Sequence, residues 1–159
     1  MRDSLHPSSS STESRLSADG PIILPALLLC DFGHLDDEIG RLEAAGAKAL
    51  HLDVMDGLFV PQLTYGLVIV EAVRRAATVP IEVHMMVERP DESAIQYARA
   101  GADIVTVHIE GLAKTKKTLA AIAATGSQAH LAMSPGTPVS HGEPFLDNCS
   151  GVLVMSVEP

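Results

Sequence analysis

From residue 21 onward, short runs rich in Val, Ile and Leu alternate with Ala- and Glu-containing stretches whose apolar residues recur at helical spacing. The apolar runs predict strands at Ile22–Leu29, Ala49–Val54, Ile81–Met86, Ile104–His108, Gln128–Met133 and Gly151–Ser156. The stretches between them predict helices near Leu35–Ala45, Leu67–Ala76, Glu92–Ala100 and Lys114–Ala124, with Pro138–Asn148 a short helix or loop. A weak internal repeat agrees with this alternation. Glu43-Ala-Ala-Gly-Ala-Lys-Ala-Leu, Ala98-Arg-Ala-Gly-Ala-Asp-Ile-Val and Ala123-Ala-Thr-Gly-Ser-Gln-Ala each place a glycine (Gly46, Gly101, Gly126) where a helix must stop before a strand.

Strands and helices that alternate through short connections make a parallel sheet, either doubly wound or closed into a barrel. The polar residues within the strands decide between the two. His51, Asp53 and Met55 share one strand face; so do Glu82, His84 and Met86, and so do Thr106, His108 and Glu110. A doubly wound sheet is buried on both faces and reads as unbroken aliphatic runs. Polar side chains at period two, gathering toward the C-terminal strand ends, fit the interior and mouth of a barrel. No Gly-x-Gly-x-x-Gly follows the first strand, so a dinucleotide fold has no support. The expected fold is α/β, a (β/α)8 TIM barrel with about six β/α units present.

Composition narrows the function classes. Hydrophobic residues make up 47% of the 159 residues, aromatics 3% with no Trp, so the core must be aliphatic. Residues 1–20 hold seven Ser and only Leu5 and Leu16 as large aliphatics, which predicts a disordered tail and leaves 21–159 as a partial barrel domain. Eleven Lys+Arg against 20 Asp+Glu give a net charge of −9, and no cationic face is clustered enough for nucleic acid. The longest apolar run, Ile22–Cys30, is broken by Pro25 and too short to span a bilayer. With no secretory apolar segment, and with Cys30 and Cys149 read as two buried thiols, the expected location is cytoplasmic. Association into a homo-oligomer stays open.

The chemistry sits on the strand ends. His51-x-Asp53 sets an imidazole and a carboxylate on one face, and His84 lies on the next strand. Neighbouring parallel strands run ~4.8 Å apart, so the three could converge on one divalent ion, two His and a carboxylate being a usual catalytic set. The alternative is a pair of hydrogen-bonded core histidines and a strand-end cap. Met55, Met86 and Met155 would form an apolar, polarizable floor beside them. Asp56-Gly57-Leu-Phe59-Val60-Pro61 reads as an ordinary connection or a lid. Asp31 and Asp37 read as caps or solvated charges, and His6, His34, His130 and His141 as structural or exposed.

His51-Leu-Asp-Val-Met-Asp-Gly-Leu-Phe-Val-Pro61 resembles the signature of ribulose-phosphate 3-epimerases. Val83-His-Met-Met-Val87, Ser134-Pro-Gly-Thr-Pro138, Gly101-Ala-Asp-Ile-Val-Thr-Val-His108 and Val154-Met-Ser-Val-Glu-Pro159 resemble it too, and Pro25-Ala-Leu-Leu-Leu-Cys-Asp-Phe32 looks like a diverged first strand. The resemblance covers Pro21 to Pro159. It implies a barrel of the ribulose-phosphate binding type that interconverts D-ribulose 5-phosphate and D-xylulose 5-phosphate through an enediolate, two aspartates acting as acid and base on opposite sides of C3. It also implies one divalent metal ion (zinc, iron, manganese or cobalt) held by His51, Asp53 and His84, with Asp53 catalytic as well. His84, Met55, Met86, Met155 and Ala26 would line the substrate; the family usually has Ser where Ala26 stands.

The family's phosphate loop and second catalytic aspartate have no counterpart in these residues. The expectation is therefore that this stretch alone neither closes a barrel nor inverts C3. Two further readings remain beside the epimerase. One is a non-catalytic remnant kept as a binding or oligomer-forming module. The other is a related phosphosugar epimerase, such as one acting on allulose 6-phosphate.

Overall fold

The structure, a computed structural model, describes Leu16 and residues 20–159, so nearly all of the predicted Ser-rich tail over residues 1–20 lies outside the described residues. Five parallel strands follow one another across a single sheet in chain order: β1 (Leu50–Met55), β2 (Ile81–Met86), β3 (Ile104–His108), β4 (Gln128–Met133) and β5 (Gly151–Val154). Helices α1 (Leu35–Ala44), α2 (Leu67–Ala76), α3 (Pro90–Arg99) and α4 (Thr115–Ala123) alternate with them. Short 3₁₀ turns at Val139–His141 and Glu143–Asn148 fill the last connection. Among the described residues no helix is long and apolar enough to cross a membrane.

The two faces of the sheet differ as the period-two pattern requires. Leu50, Leu52 and Val54 of β1, Ile81, Val83 and Met85 of β2, and Val105 and Val107 of β3 are buried against Ile39, Val70, Val73, Ala94, Ala98, Leu119 and Ile122 of the helices. The opposite face carries His51, Asp53, Glu82, His84, Thr106 and His108. Register aligns these in rows, one residue per strand: Asp53 opposite His84, His84 opposite Thr106, Thr106 opposite His130, and His130 opposite Gly151. A Cβ on Gly151 would stand 2.7 Å from the His130 ring, so glycine lets that imidazole lie across β5.

The predicted first strand is the main correction. Over Ile22–Leu29 only one parallel bridge forms, Ala26 beside His51, through Leu27 N–H to His51 O and His51 N–H to Pro25 O, each 3.0 Å. Pro21 and Pro25 have no N–H to offer a ladder, and the chain turns at once, Cys30 N–H donating to Leu27 O. Among the described residues five strands are formed rather than six. The last of them ends at Val154 rather than Ser156, although Met155 N–H still donates to Met133 O. Cys30 and Cys149 are half-buried free thiols, pushed up in pKa by burial.

The three glycines expected to end helices all take positive φ. Gly101 shows why no other residue serves. The N–H of Gly101 donates to Ala98 O and that of Ala102 to Tyr97 O, closing α3 with φ +112° at the glycine. An added Cβ would meet Arg74 Cγ at 2.3 Å. Gly101→Ala is therefore expected to lower unfolding free energy by about 2–3 kcal/mol, combining left-handed strain with displacement of Arg74. Urea denaturation of the two chains measures this.

Candidate active site

β1 and β2 place His51, Asp53 and His84 together at one end of the polar face. His51 Nε2 lies 3.0 Å from Asp53 Oδ1, and His84 Nδ1 lies 3.3 Å from the same oxygen. One donor atom from each residue falls within 4.8 Å of the other two. Asp53 and His84 are register partners on adjacent strands, which is why residues 31 apart in sequence meet. Both are buried.

The donor set suits a divalent cation. Two imidazole nitrogens and a carboxylate oxygen converge on one point, and the outer nitrogen of His51 is already engaged: Nδ1–H donates to Glu82 Oε2 at 2.9 Å. A carboxylate behind a ligating imidazole fixes its tautomer and raises its basicity. Glu82 is steadied in turn by the Thr106 hydroxyl, 2.6 Å from Oε1. With no cation, protons do the pairing. Burial alone would push the His51 imidazole down, but hydrogen bonds to Asp53 and Glu82 outweigh it and lift its pKa to about 9. Burial would raise the Asp53 carboxyl, yet its bonds to His51 and His84 hold it well below the ordinary carboxylate range. Glu82 is lowered against burial in the same way, first by His51. A metal ion would take the place of the proton between His51 and Asp53.

A third histidine joins the cluster. His84 Nε2 and His108 Nε2 approach to 2.8 Å, their rings stacked at 5.0 Å between centroids. His108 Nδ1 lies 3.2 Å from Glu110 Oε2 and 3.4 Å from the Ser134 hydroxyl. Burial, and after it the neighbouring His84, pushes the pKa of His108 down to about 4. Phe59, carried by the loop after β1, sits 4.9 Å from the His108 ring.

That loop also mends the free edge of β1. Beyond His51 no strand among the described residues lies on that side, and Asp53 N–H donates to the Tyr65 phenol oxygen at 3.1 Å and Met55 N–H to Thr64 Oγ1 at 3.0 Å. The Thr64 hydroxyl donates back to Asp53 O. Three side-chain hydrogen bonds thus stand in for a missing strand ladder. Asp56 pins the loop by accepting from the N–H groups of Leu58, Phe59 and Glu88. It lays Phe59 on the cluster.

The other predicted site residues fall as follows. Met55 and Met86 are register partners beside the cluster, Met86 buried. Met155 lies just past β5, three strands from β2 in the sheet. Ala26 is exposed and meets the site through its backbone bridge to His51. Asp31 caps the turn Phe32–His34, accepting from Gly33 N–H and pairing with His34. The sequence pattern assigns no individual site role to Glu82, Thr106, His108, Glu110 or Tyr65. The first four carry the same period-two signal as His51 and Asp53; Tyr65 sits in a loop with no pattern to mark it.

A sequence model of the Ribulose-phosphate 3 epimerase family matches residues 22–159. Ribulose-phosphate 3-epimerase of Bacillus subtilis (strain 168) is 42% identical over 137 residues, 86% of this chain and 63% of that protein. That of Mycobacterium tuberculosis (strain ATCC 25618 / H37Rv) is 43% identical over 146 residues, 90% of this chain and 62% of that protein. The chloroplastic ribulose-5-phosphate-3-epimerase of Arabidopsis thaliana is 38% identical over 152 residues, 94% of this chain and 54% of that protein. The chain thus spans 54–63% of the length of these curated relatives. Among solved structures, tryptophan synthase subunit alpha from Legionella pneumophila superposes with a TM-score of 0.60 at 16% identity, covering 93% of this chain and 67% of that one. That likeness concerns the fold alone, a partial (β/α) barrel of TIM type.

Proposed function

The chain belongs to the ribulose-phosphate 3-epimerase family, and on that premise we propose that it acts on D-ribulose 5-phosphate at C3, with Asp53 moving the proton on one face of the substrate. The observation that carries this reading is the buried Asp53 carboxylate with nitrogens of His51 and His84 both aimed at its Oδ1. A proton beside a ketone is too weakly acidic for a carboxylate to remove unless the charge that develops is stabilised. His51, Asp53 and His84 would hold one divalent ion (zinc, iron, manganese or cobalt), which supplies that stabilisation when bound.

The chain's own residues prepare the rest. The imidazoles of His51 and His84 keep Asp53 ionised against its burial, so it can accept the C3 proton and leave an enediolate. Glu82 holds His51 in one orientation. Met55 and Met86 offer an apolar, polarizable wall that excludes water, and Phe59 closes the side above His108. Inversion to D-xylulose 5-phosphate requires a second group opposite, because one base returns the proton only to the face it left. The metal-capable cluster contains a single aspartate, Asp53. A polypeptide of these 159 residues is therefore expected to exchange the C3 proton without inverting the carbon.

Proton NMR in D2O tests both halves. With zinc or manganese added, the C3–H signal of D-ribulose 5-phosphate should fade, no D-xylulose 5-phosphate should appear, and a chelator should stop the exchange. Absence of exchange in the metal-loaded chain would overturn the role of Asp53 and favour a non-catalytic binding module. Xylulose 5-phosphate formed at the rate of an intact epimerase would overturn the one-sided chemistry. Faster exchange on D-allulose 6-phosphate would move the substrate to the longer sugar.

A further inference from the structure

We propose that Thr64 and Tyr65 are positioning residues for the reaction: from one loop they hold the main chain of Asp53 and Met55 along the free edge of β1, and so fix where the Asp53 carboxylate stands. This rests on the reading of Asp53 as the base.

The argument starts from the period of a strand. Side chains alternate between the two faces, and the N–H and C=O of successive residues alternate between the two edges. Residues of β1 that share a face therefore share an edge. Leu50 N–H donates to Pro80 O, on the β2 side, so Leu52 and Val54 turn their main chain to β2 as well. His51, Asp53 and Met55 turn theirs the other way. The residues that offer the site its side chains are thus the ones whose own amides and carbonyls β2 does not hold.

His51 is held by main chain, its N–H donating to Pro25 O and its carbonyl accepting from Leu27 N–H. Asp53 and Met55 lie beyond that bridge and are held by two loop residues. Asp53 N–H donates to the Tyr65 phenol oxygen at 3.1 Å, and Asp53 O accepts from the Thr64 hydroxyl at 2.7 Å. Met55 N–H donates to Thr64 Oγ1 at 3.0 Å, and Met55 O accepts from Thr64 N–H at 3.2 Å. Thr64 makes three of these four bonds, its hydroxyl donating to one residue while accepting from the other, as a hydroxyl can. Both residues are themselves anchored: an antiparallel bridge between Asp56 and Leu63 closes the loop just before Thr64, and the Tyr65 ring packs on Phe32 at 5.4 Å between centroids. Asp53 carries its carboxylate on a short arm, so drift of its main chain is passed on to the reacting oxygen, and a displacement of about 1 Å can cost 10²-fold in rate.

Thr64→Val keeps the size of the side chain and removes its hydroxyl. With zinc and saturating D-ribulose 5-phosphate in D2O, C3-proton exchange should run about 10–100-fold slower than in the native chain at a KM within about twofold, because the base moves and the binding groups do not. Thr64→Ser restores the hydroxyl and should stay within about threefold of native. Tyr65→Phe keeps the ring and loses one bond, at an expected cost of about 3–10-fold. Gly101→Ala, destabilising but just before β3 at the opposite strand ends, should leave the rate where it is. Amide hydrogen exchange of the metal-free chain reads the bonds themselves: Met55 N–H in Thr64→Val and Asp53 N–H in Tyr65→Phe should exchange about tenfold faster or more. A native C3-exchange rate in folded Thr64→Val would overturn the proposal, as would a Thr64→Ser chain as slow as Thr64→Val. Should Thr64→Val not fold, Tyr65→Phe decides by the same readouts. If the native chain exchanges no C3 proton, the reading of Asp53 as the base falls and zinc affinity, measured by competition with a chromophoric chelator, decides the positioning: about tenfold weaker binding in Thr64→Val upholds it, and unchanged binding overturns it.

Discussion

Asp53→Asn should reduce exchange of the C3 proton of D-ribulose 5-phosphate by about 10³-fold, within the range a positioned base contributes. The substitution keeps size and shape and removes only the charge. That charge does three things at once in the site described: it would accept the proton, it would bind the cation, and it pairs with both His51 and His84. An amide oxygen is a poor base and a poor ligand, so zinc affinity should fall too, by about 100-fold or more, since even outer partners of a ligand are worth 10–100-fold. A second readout needs no substrate. The pKa of His51 is lifted to about 9 by carboxylates on both sides, and with Asp53 neutral it should drop toward its ordinary value while Glu82 keeps it from falling all the way. Retention of exchange in Asp53→Asn would move the chemistry to another group, Glu82 being the next buried carboxylate on that face.

The second large effect is expected at the other end of the strands, in the stability of the fold. Asp103 is buried just before β3, where it accepts from Arg74 Nη1 at 3.0 Å and from the Ile81 N–H at 2.9 Å. Arg74, on α2, also donates to Ala77 O and Val79 O, so one ion pair joins α2, the approach to β2 and the start of β3. Asp103→Ala leaves a largely buried guanidinium without its counter-charge and a strand N–H without an acceptor. Loss of about 3–5 kcal/mol follows, the usual penalty for breaking a buried pair from one side. Removing both partners at once, as Arg74→Met with Asp103→Leu, should recover much of it, because no uncompensated charge remains. Urea unfolding of the three chains measures the difference. An Asp103→Ala chain as stable as the native one would show that the pair makes no net contribution to stability.

How far the sequence alone reaches depends on the kind of interaction. β2, β3 and β4 have the residue limits that their apolar runs predict, and α2 likewise, because each is bounded by Gly, Pro or a helix cap whose conformational demands are local. The apolar run at Ile22–Leu29 misleads since a strand needs partners as well as β-forming residues; with Pro21 and Pro25 lacking N–H groups and one neighbour only, it makes a single bridge. His51, Asp53 and His84 were legible as a convergent set because alternation puts them on one face. The bonds from Glu82 to His51, and from His108 to His84, depend on which rungs align, and register is fixed by tertiary packing rather than by any one strand's residues. Tyr65 and Thr64 were invisible for a different reason: they complete a sheet edge from a loop, a role set by where the first strand fails.

The rows across the polar face carry a consequence for how the chain can change length. Asp53, His84, Thr106, His130 and Gly151 are successive members of one row, each supplied by a different strand. Inserting or deleting one residue within β2 would rotate everything beyond it by half a pleat. Val83 or Met85 would then stand opposite Asp53, and His84 would be driven among Val70, Val73 and the other aliphatics under the helices. A point substitution alters one contact, whereas such an indel exchanges the two faces of the strand. Tolerated length variation should therefore lie in the connections, and the strands should be read as a fixed ruler along which chemistry can be swapped but not shifted.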